Sequence, residues 1–315
     1  MIFEIVKSKI LKSLGVACLF LSVSNLAFAA TGTITCTTSS PAYTATYSPF
    51  TGSTNNTSMG FDMTCKRQAI VGETDAATVK YAIRSNNGSY GAGGVNRARH
   101  TTQPSPFKYV VYDLYIDVAC TIPWQNGAND IEDVMVLAAG VLEAKKSYPF
   151  YACIGAGQNA VVAGMHKDAP NIVIGAVQVR AGINVVTGAV VNSVTKVNGT
   201  VDVTINVAKE CIVSTQPGNL AFGNYAAFGP AMQRQTPFGT NCTNLAIYTM
   251  ALDSTAGVIA GLNYNLALSA VGGTSGGIEQ LYSITAKIPA GQAGSCAAGG
   301  CAAGQSRTHT LIISY

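Results

Sequence analysis

Gly199-Thr-Val-Asp-Val-Thr-Ile-Asn-Val207 sets Val201, Val203, Ile205 and Val207 on one side of an extended chain and Asp202, Thr204 and Asn206 on the other. Successive side chains leave opposite faces of a strand, so this alternation predicts a half-buried β-strand. Working outward, Cys211-Ile-Val-Ser follows, then Phe222-Gly-Asn-Tyr225, then Phe238-Gly-Thr-Asn-Cys242, with the two cysteines 31 residues apart. The same plan occurs earlier: Cys36-Thr-Thr-Ser, Tyr47-Ser-Pro49 and Phe61-Asp-Met-Thr-Cys65, with a spacing of 29 residues. Similar landmarks at similar offsets predict two copies of one β-unit, each with a first disulfide tying an early strand to a neighbour. Domain boundaries of 30–198 and 199–315 follow.

Other stretches agree with a chain built of strands. Phe107-Lys-Tyr-Val-Val-Tyr-Asp-Leu-Tyr-Ile116, Asn171-Ile-Val-Ile-Gly-Ala-Val-Gln-Val-Arg180 and Thr308-His-Thr-Leu-Ile-Ile-Ser-Tyr315 are rich in aromatic and β-branched residues. Charged residues make up only 11% of the chain, which favours short strands and turns over solvent-exposed helices. One stretch, Ile131 to Lys146, reads as a short helix. The expected class is therefore all-β, a pair of β-sandwiches.

Lys7, Lys9 and Lys12 precede an apolar run from Leu14 to Phe28 and a small-x-small site, Ala27-Phe28-Ala29. This is the layout of a signal peptide over 1–29. Loss of three lysines and Glu4 would lower the formal charge from +4 to +2, too little for a nucleic-acid footprint. The densest basic knot is Arg97-Ala-Arg-His100, read as a solvated strand end or loop. Cys18 lies in the leader. The remaining Cys36, Cys65, Cys120, Cys153, Cys211, Cys242, Cys296 and Cys301 form an even set in an exported chain, which argues for disulfides over metal. Cys36–Cys65 and Cys211–Cys242 are expected from the repeat; Cys120–Cys153 and Cys296–Cys301 are what elimination leaves.

The second half resembles the spore coat U domain, the module used for subunits of archaic chaperone–usher pili. The residues that carry the resemblance are Cys211-Ile-Val-Ser, Leu220-Ala-Phe-Gly-Asn-Tyr225, Cys242, Leu262-Asn-Tyr-Asn-Leu266, Tyr282-Ser-Ile-Thr-Ala, Ile288-Pro-Ala-Gly-Gln292 and Thr310-Leu-Ile-Ile-Ser-Tyr315. The first half is a weaker, enlarged match through Tyr81-Ala-Ile, Arg97, Tyr109-Val-Val-Tyr-Asp-Leu-Tyr-Ile-Asp117 and Trp124. The resemblance implies two immunoglobulin-like sandwiches, the second lacking its last strand. A periplasmic chaperone would first fill the gap, an outer-membrane usher would export the subunit, and a neighbouring subunit would then donate the strand. The acceptor edge would be the last strand, with Leu311, Ile313 and Tyr315.

A shaft subunit must also donate a strand. Cleavage after Ala29 would leave six residues before Cys36, and the donor-like segment 199–207 is preceded by a whole domain, so it is expected to pair internally. These two readings place the chain at a pilus tip, as an adhesin at the cell surface. Two apolar runs of the first domain are candidates for contact with an abiotic or host surface: Ala160, Val161, Val162 and Met165 in one, Leu137, Val141 and Leu142 in the other. The bland alternative for both is burial in strands or a core helix. A shaft pilin or a coat or matrix protein is the alternative function.

No enzyme chemistry is expected. His100, His166 and His309 are far apart and lack a nucleophile elbow. Asp130, Glu132 and Asp133 lack the regular spacing of a calcium loop. Gly155-Ala-Gly157-Gln-Asn-Ala160 lacks the helix and acidic partner of a dinucleotide site. No cofactor or metal is expected, and an exported hydrolase using His166 or Asp168 is the weakest reading.

Overall fold

The computed structural model describes residues 34–51, 55–67, 76–106, 108–124, 129–179, 196–295 and 304–315. The expected leader and the Cys296–Cys301 pair lie outside these residues.

The strands, in chain order, are β1 (Ile34–Thr38), β2 (Ala42–Tyr47), β3 (Asn55–Arg67), β4 (Ala77–Ser85), β5 (Asn96–His100), β6 (Tyr109–Tyr115), β7 (Ile131–Leu137), β8 (Glu143–Ile154), β9 (Gly164–Asp168) and β10 (Asn171–Val179). They continue as β11 (Lys196–Thr200), β12 (Asp202–Val207), β13 (Cys211–Thr215), β14 (Met232–Cys242), β15 (Ile247–Leu252), β16 (Ala256–Ile259), β17 (Leu262–Leu268), β18 (Gly272–Thr274), β19 (Gln280–Ile288) and β20 (Leu311–Ser314). No helix occurs among the described residues.

Two sandwiches result. The first packs an eight-stranded sheet, β1-β3-β8-β6-β5-β9-β12-β2, on a four-stranded one, β11-β10-β4-β7. The second packs β13-β14-β19-β17-β16 on β18-β15-β20. Each has its own core. At the centre of the first, the Trp124 ring stacks on Phe61 at 5.5 Å between centroids, and its indole N–H donates to the Ile83 carbonyl at 3.1 Å. A buried indole needs that partner, because an unmade hydrogen bond there would carry the whole desolvation cost.

The stretch read as a helix, Ile131 to Lys146, is instead β7, a turn and the start of β8. Met135 and Leu137 are buried while Glu132, Val134 and Val136 face outward, a two-residue period. The outward valines disguise that period as a continuous apolar run. Gly140, at φ 75°, lies in the turn, a backbone region costly for residues with a Cβ.

The alternating stretch over 199–207 carries the second correction. β12 lies between β2, which it joins in parallel, and β9, which it joins antiparallel. Val201, Val203, Ile205 and Val207 belong to the first core. The division between cores therefore falls after Val207 and not at the expected 198/199. The physical reason is pairing: burying these four side chains, at roughly 1.5–3 kcal/mol each, requires the sheet that already contains β2 and β9.

The cysteines of the repeat occupy the same geometry twice. Cys36 faces Cys65 across β1 and β3, and Cys211 faces Cys242 across β13 and β14, with Cα separations of 4.1 and 4.0 Å. Both pairs are disulfides, and Cys120 is bonded to Cys153.

Candidate functional site

Among the described residues, the second sandwich is open along one side. Leu311 and Ile313 of β20 point half-buried toward its core, while Ile312 and Ser314 face away. β20 pairs with β15 on one edge, and its other edge has no partner strand among the described residues. Beside it lies a cavity of about 640 Å³. One wall is the segment Pro217–Phe222 and the other is Gln305–Leu311. The floor is apolar: Leu252, Ile259, Tyr264, Leu266, Ile284 and Ala286.

The first wall explains why this side is open. Leu220 and Phe222 pack on the core, yet among the described residues no backbone-to-backbone hydrogen bond joins residues 218–224 to a strand. The segment is anchored by side chains: the Thr236 hydroxyl accepts from Gly218 N at 2.8 Å, and the Arg234 guanidinium donates to the Ala221 carbonyl at 3.1 Å. Tyr264, on the floor, hydrogen-bonds His309 at 2.6 Å, and the carboxylate of Asp253 reaches the other ring nitrogen at 2.8 Å. That contact holds Asp253 below the usual carboxylate range. An exposed strand edge above an apolar groove is what an added strand requires: main-chain groups to pair with and pockets for alternate side chains. Of the expected acceptor residues, Leu311 lines the cavity, Ile313 packs half-buried on the second core, and Tyr315 is exposed. Leu220 and Phe222 of the first wall belong to a stretch that carried the family resemblance, but nothing in the sequence of 217–222 or 305–309 marks them as facing walls of one groove.

The first-domain candidates separate into two groups. Leu137, Val161 and Val162 are buried, at 0, 5 and 3% exposure. They are not surface contacts. Leu137 is an inward position of β7, and Val161 belongs to the first core. Val162 forms a parallel bridge with Asn244 of the second sandwich, so it is covered by the other half of the molecule. Ala160, Met165, Val141 and Leu142 are exposed. Val141 and Leu142 sit in the turn after β7, whose outward face adds Val134 and Val136. These two open the apolar run 134–142 of the sequence, in which Leu137, Val141 and Leu142 are the candidates chosen.

The histidine and carboxylate cluster of the first domain is sealed. His100 and His166 face each other across β5 and β9 in edge-to-face contact, 4.9 Å between centroids. The His100 Nε2–H donates to the Ala163 carbonyl at 3.1 Å, and its Nδ1 accepts from the amides of Thr102 and Gln103. The Tyr112 hydroxyl donates to Asp168 at 2.8 Å. Burial pushes Asp168 up and pulls His166 down to about 4. No nucleophile contacts His166 among the described residues, and the ring is wholly buried. Two of the three carboxylates weighed for calcium are engaged: Asp130 takes a bidentate bond from Arg84 at 2.9 and 2.8 Å, and Asp133 binds Lys146 and Tyr148.

With this geometry in hand, comparison with known proteins adds the following. A family model described as Spore Coat Protein U domain matches residues 22–172 and 197–272, more than half of the chain. Among solved structures the chain is similar to the CsuC–CsuE chaperone–tip adhesion subunit complex from archaic chaperone–usher Csu pili of Acinetobacter baumannii. That match has 14% identity over 89% of this chain and 100% of the other, with a TM-score of 0.43. A second is the CupB6 tip adhesin from Pseudomonas aeruginosa, with 11% identity over 90% and 94% and a TM-score of 0.35. No curated protein matches.

Proposed function

The chain belongs to the Spore Coat Protein U domain family, and from that premise we propose that it is the tip adhesin of a pilus. A periplasmic chaperone and an outer-membrane usher assemble it, and the next subunit closes its second sandwich with a donated strand. The supporting observation is an asymmetry between two strands. β12, the donor-like one, is occupied on both edges by β2 and β9, whereas β20, among the described residues, is unpaired on one edge beside an apolar groove. A segment locked inside its own sheet has no free edge to lend; a groove without a partner strand accepts one. A subunit that accepts a strand without donating one through β12 suits the distal end of a pilus, exported and displayed at the cell surface.

Surface attachment is assigned to the exposed apolar residues of the first domain. Val141 and Leu142 in the turn, with Val134 and Val136 beside them, form a patch able to lose water against an apolar abiotic or host surface.

The test uses the intact chain and a synthetic extended peptide with apolar residues at alternate positions. The peptide should raise the melting temperature and keep the protein monomeric, and Ile313→Lys should remove both effects. No response to the peptide would sink strand acceptance. Immunogold labelling should mark fibre ends; label along whole fibres would favour a shaft subunit.

A further inference from the structure

We propose that the outer face of the eight-stranded sheet in the first domain binds a linear acidic polysaccharide. This surface is separate from the groove and from the apolar turn, and the proposal does not rest on the pilus reading.

Register puts Tyr109, Arg99, Lys167, Thr204 and Thr44 in one row across the five neighbouring strands β6, β5, β9, β12 and β2. Arg97 stands two residues from Arg99 on the same face, opposite Val111. Each of these positions alternates with a buried one, among them Ala98, His166 and Ile205, so the row is an outward face. Four strand spacings make it about 19 Å long.

Two features set the row apart from ordinary solvated surface. Arg99 and Lys167 are directly opposite each other, and like charges in that relation destabilise a sheet. Only 11% of the chain is charged, so three cations on one patch are not background. A local rule broken without a structural gain is expected where function requires it. The guanidinium groups are also held in place. Arg97 lies over the Tyr109 ring at 4.5 Å and Arg99 over the Tyr90 ring at 4.4 Å, while Arg97 Nε donates to the Tyr90 carbonyl at 2.7 Å. Stacking orders a guanidinium without neutralising it. Among the described residues neither Arg97 nor Lys167 has a carboxylate within 4.0 Å. The acids on this face are Asp113, which accepts from the Asn96 amide, Asp202, opposite Ala42, and, away from the row on β3 and β8, Asp62 and Glu143, which are ion-paired with Lys145 and Lys66.

The chemistry selects the ligand. Ordered cations suit carboxylate or sulfate groups, and the row continues into Thr204, Thr44, Thr46 and Asn206, whose hydroxyls and amide suit sugar hydroxyls. The flat, elongated shape fits a chain and not a small molecule. A single-stranded nucleic acid would need open aromatic faces for its bases, but Arg97 and Arg99 already cover one face of Tyr109 and of Tyr90.

The intact chain is tested by surface plasmon resonance against polygalacturonate, uncharged dextran and oligothymidylate over a range of salt. Polygalacturonate should bind, salt should weaken it, and dextran should not bind. Arg97→Gln and Lys167→Gln should each weaken binding about two- to fivefold, the range of exposed charge pairs. Lys167→Gln should leave the melting temperature equal or higher, because it removes a repulsion. Should Arg97→Gln fail to fold, Lys167→Gln, at an exposed strand position, decides alone. The proposal is overturned by absent polygalacturonate binding, by binding that Lys167→Gln leaves intact, by equal binding of dextran, or by oligothymidylate binding as tightly.

Discussion

The side-chain amide of Asn244, in the second sandwich, donates to the carbonyl of Ala160, in the first, at 3.0 Å. Beside it Ala163 N donates to Asn244 O at 3.3 Å, and Val162 runs parallel to Asn244. Around the short connection Ala208-Lys-Glu210 the same pattern recurs. Ala208 N donates to Tyr47 O, the Thr243 hydroxyl donates to Ala208 O and accepts from Glu210 N, and the Ser48 hydroxyl binds the Glu210 carboxylate. The two sandwiches therefore meet through specific hydrogen bonds from both sides of the linker. A load applied to the groove of the second would reach the first through this seam.

Asn244→Ala should cost about 1 kcal/mol, the net worth of one hydrogen bond whose acceptor is left able to find water. Gly277→Ala should cost more. A Cβ there would stand 3.0 Å from the Asn244 Cβ and 3.3 Å from the Asn159 carbonyl, at a φ of +75°. Urea midpoints of the intact chain measure both; an unchanged midpoint for Gly277→Ala would remove the seam as a structural feature.

Val162→Asp should destabilise the protein by several kcal/mol, because it buries a carboxylate with no partner at a position only 3% exposed. Leu142→Asp, at 51% exposure, should leave stability within about 0.5 kcal/mol yet reduce attachment to an apolar surface. Thermal unfolding and adhesion assays on both variants separate burial from binding. Undiminished attachment by Leu142→Asp would reassign the contact surface.

How much of this was legible beforehand depended on what each residue's neighbours recorded. The alternation of Val201 to Val207 announces a strand at once, but nothing local states which sheet claims it; pairing with β2, some 160 residues upstream, decided that. The similar spacing of Cys36 and Cys65 with Cys211 and Cys242, together with matching landmarks between them, was enough for the repeat, because each pair joins an early strand to its antiparallel neighbour. Val161 and Val162 misled because an apolar run flanked by glycines reads alike on a loop tip and in a seam. Leu220 and Phe222 entered only as family landmarks, and of the acceptor groove the sequence assigned a role only to the edge, Leu311 and Ile313. Its opposite wall is an irregular segment whose place is set by Thr236 and Arg234.

Acid should weaken the first sandwich through His166. The unfolded chain binds a proton near pH 6.5, whereas the buried ring does so only near 4. Between those values the unfolded state holds more protons, so stability falls as pH falls, by at most about 3 kcal/mol, and the loss levels off below 4. Neighbouring His100 adds to the depression. Asp168, pushed up by burial, acts in the opposite sense: its protonated form is favoured in the fold, so its contribution grows on acidification. Urea unfolding of His166→Gln against pH should lose the downward slope; a slope that persists would trace acid sensitivity to other groups.

The three disulfides provide a closing test, because their loops are nearly equal while their surroundings differ. Separations of 29, 33 and 31 residues give, in the chain-entropy model, about 3–4 kcal/mol for each bridge. Cys36–Cys65 and Cys211–Cys242 join strands that are already paired, residue opposite residue. Cys120–Cys153 joins β8 to a turn whose other anchor is Asp117, accepting from the amides of Thr121 and Ile122. If restriction of the unfolded chain dominates, paired Ser substitutions at each bridge should lower the urea midpoint by similar amounts. A much smaller loss for Cys120–Cys153 would show that the turn already held by Asp117 gains little from its bridge. Non-reducing peptide mapping of the native protein must first return these three pairs, and any other pairing would undo the comparison.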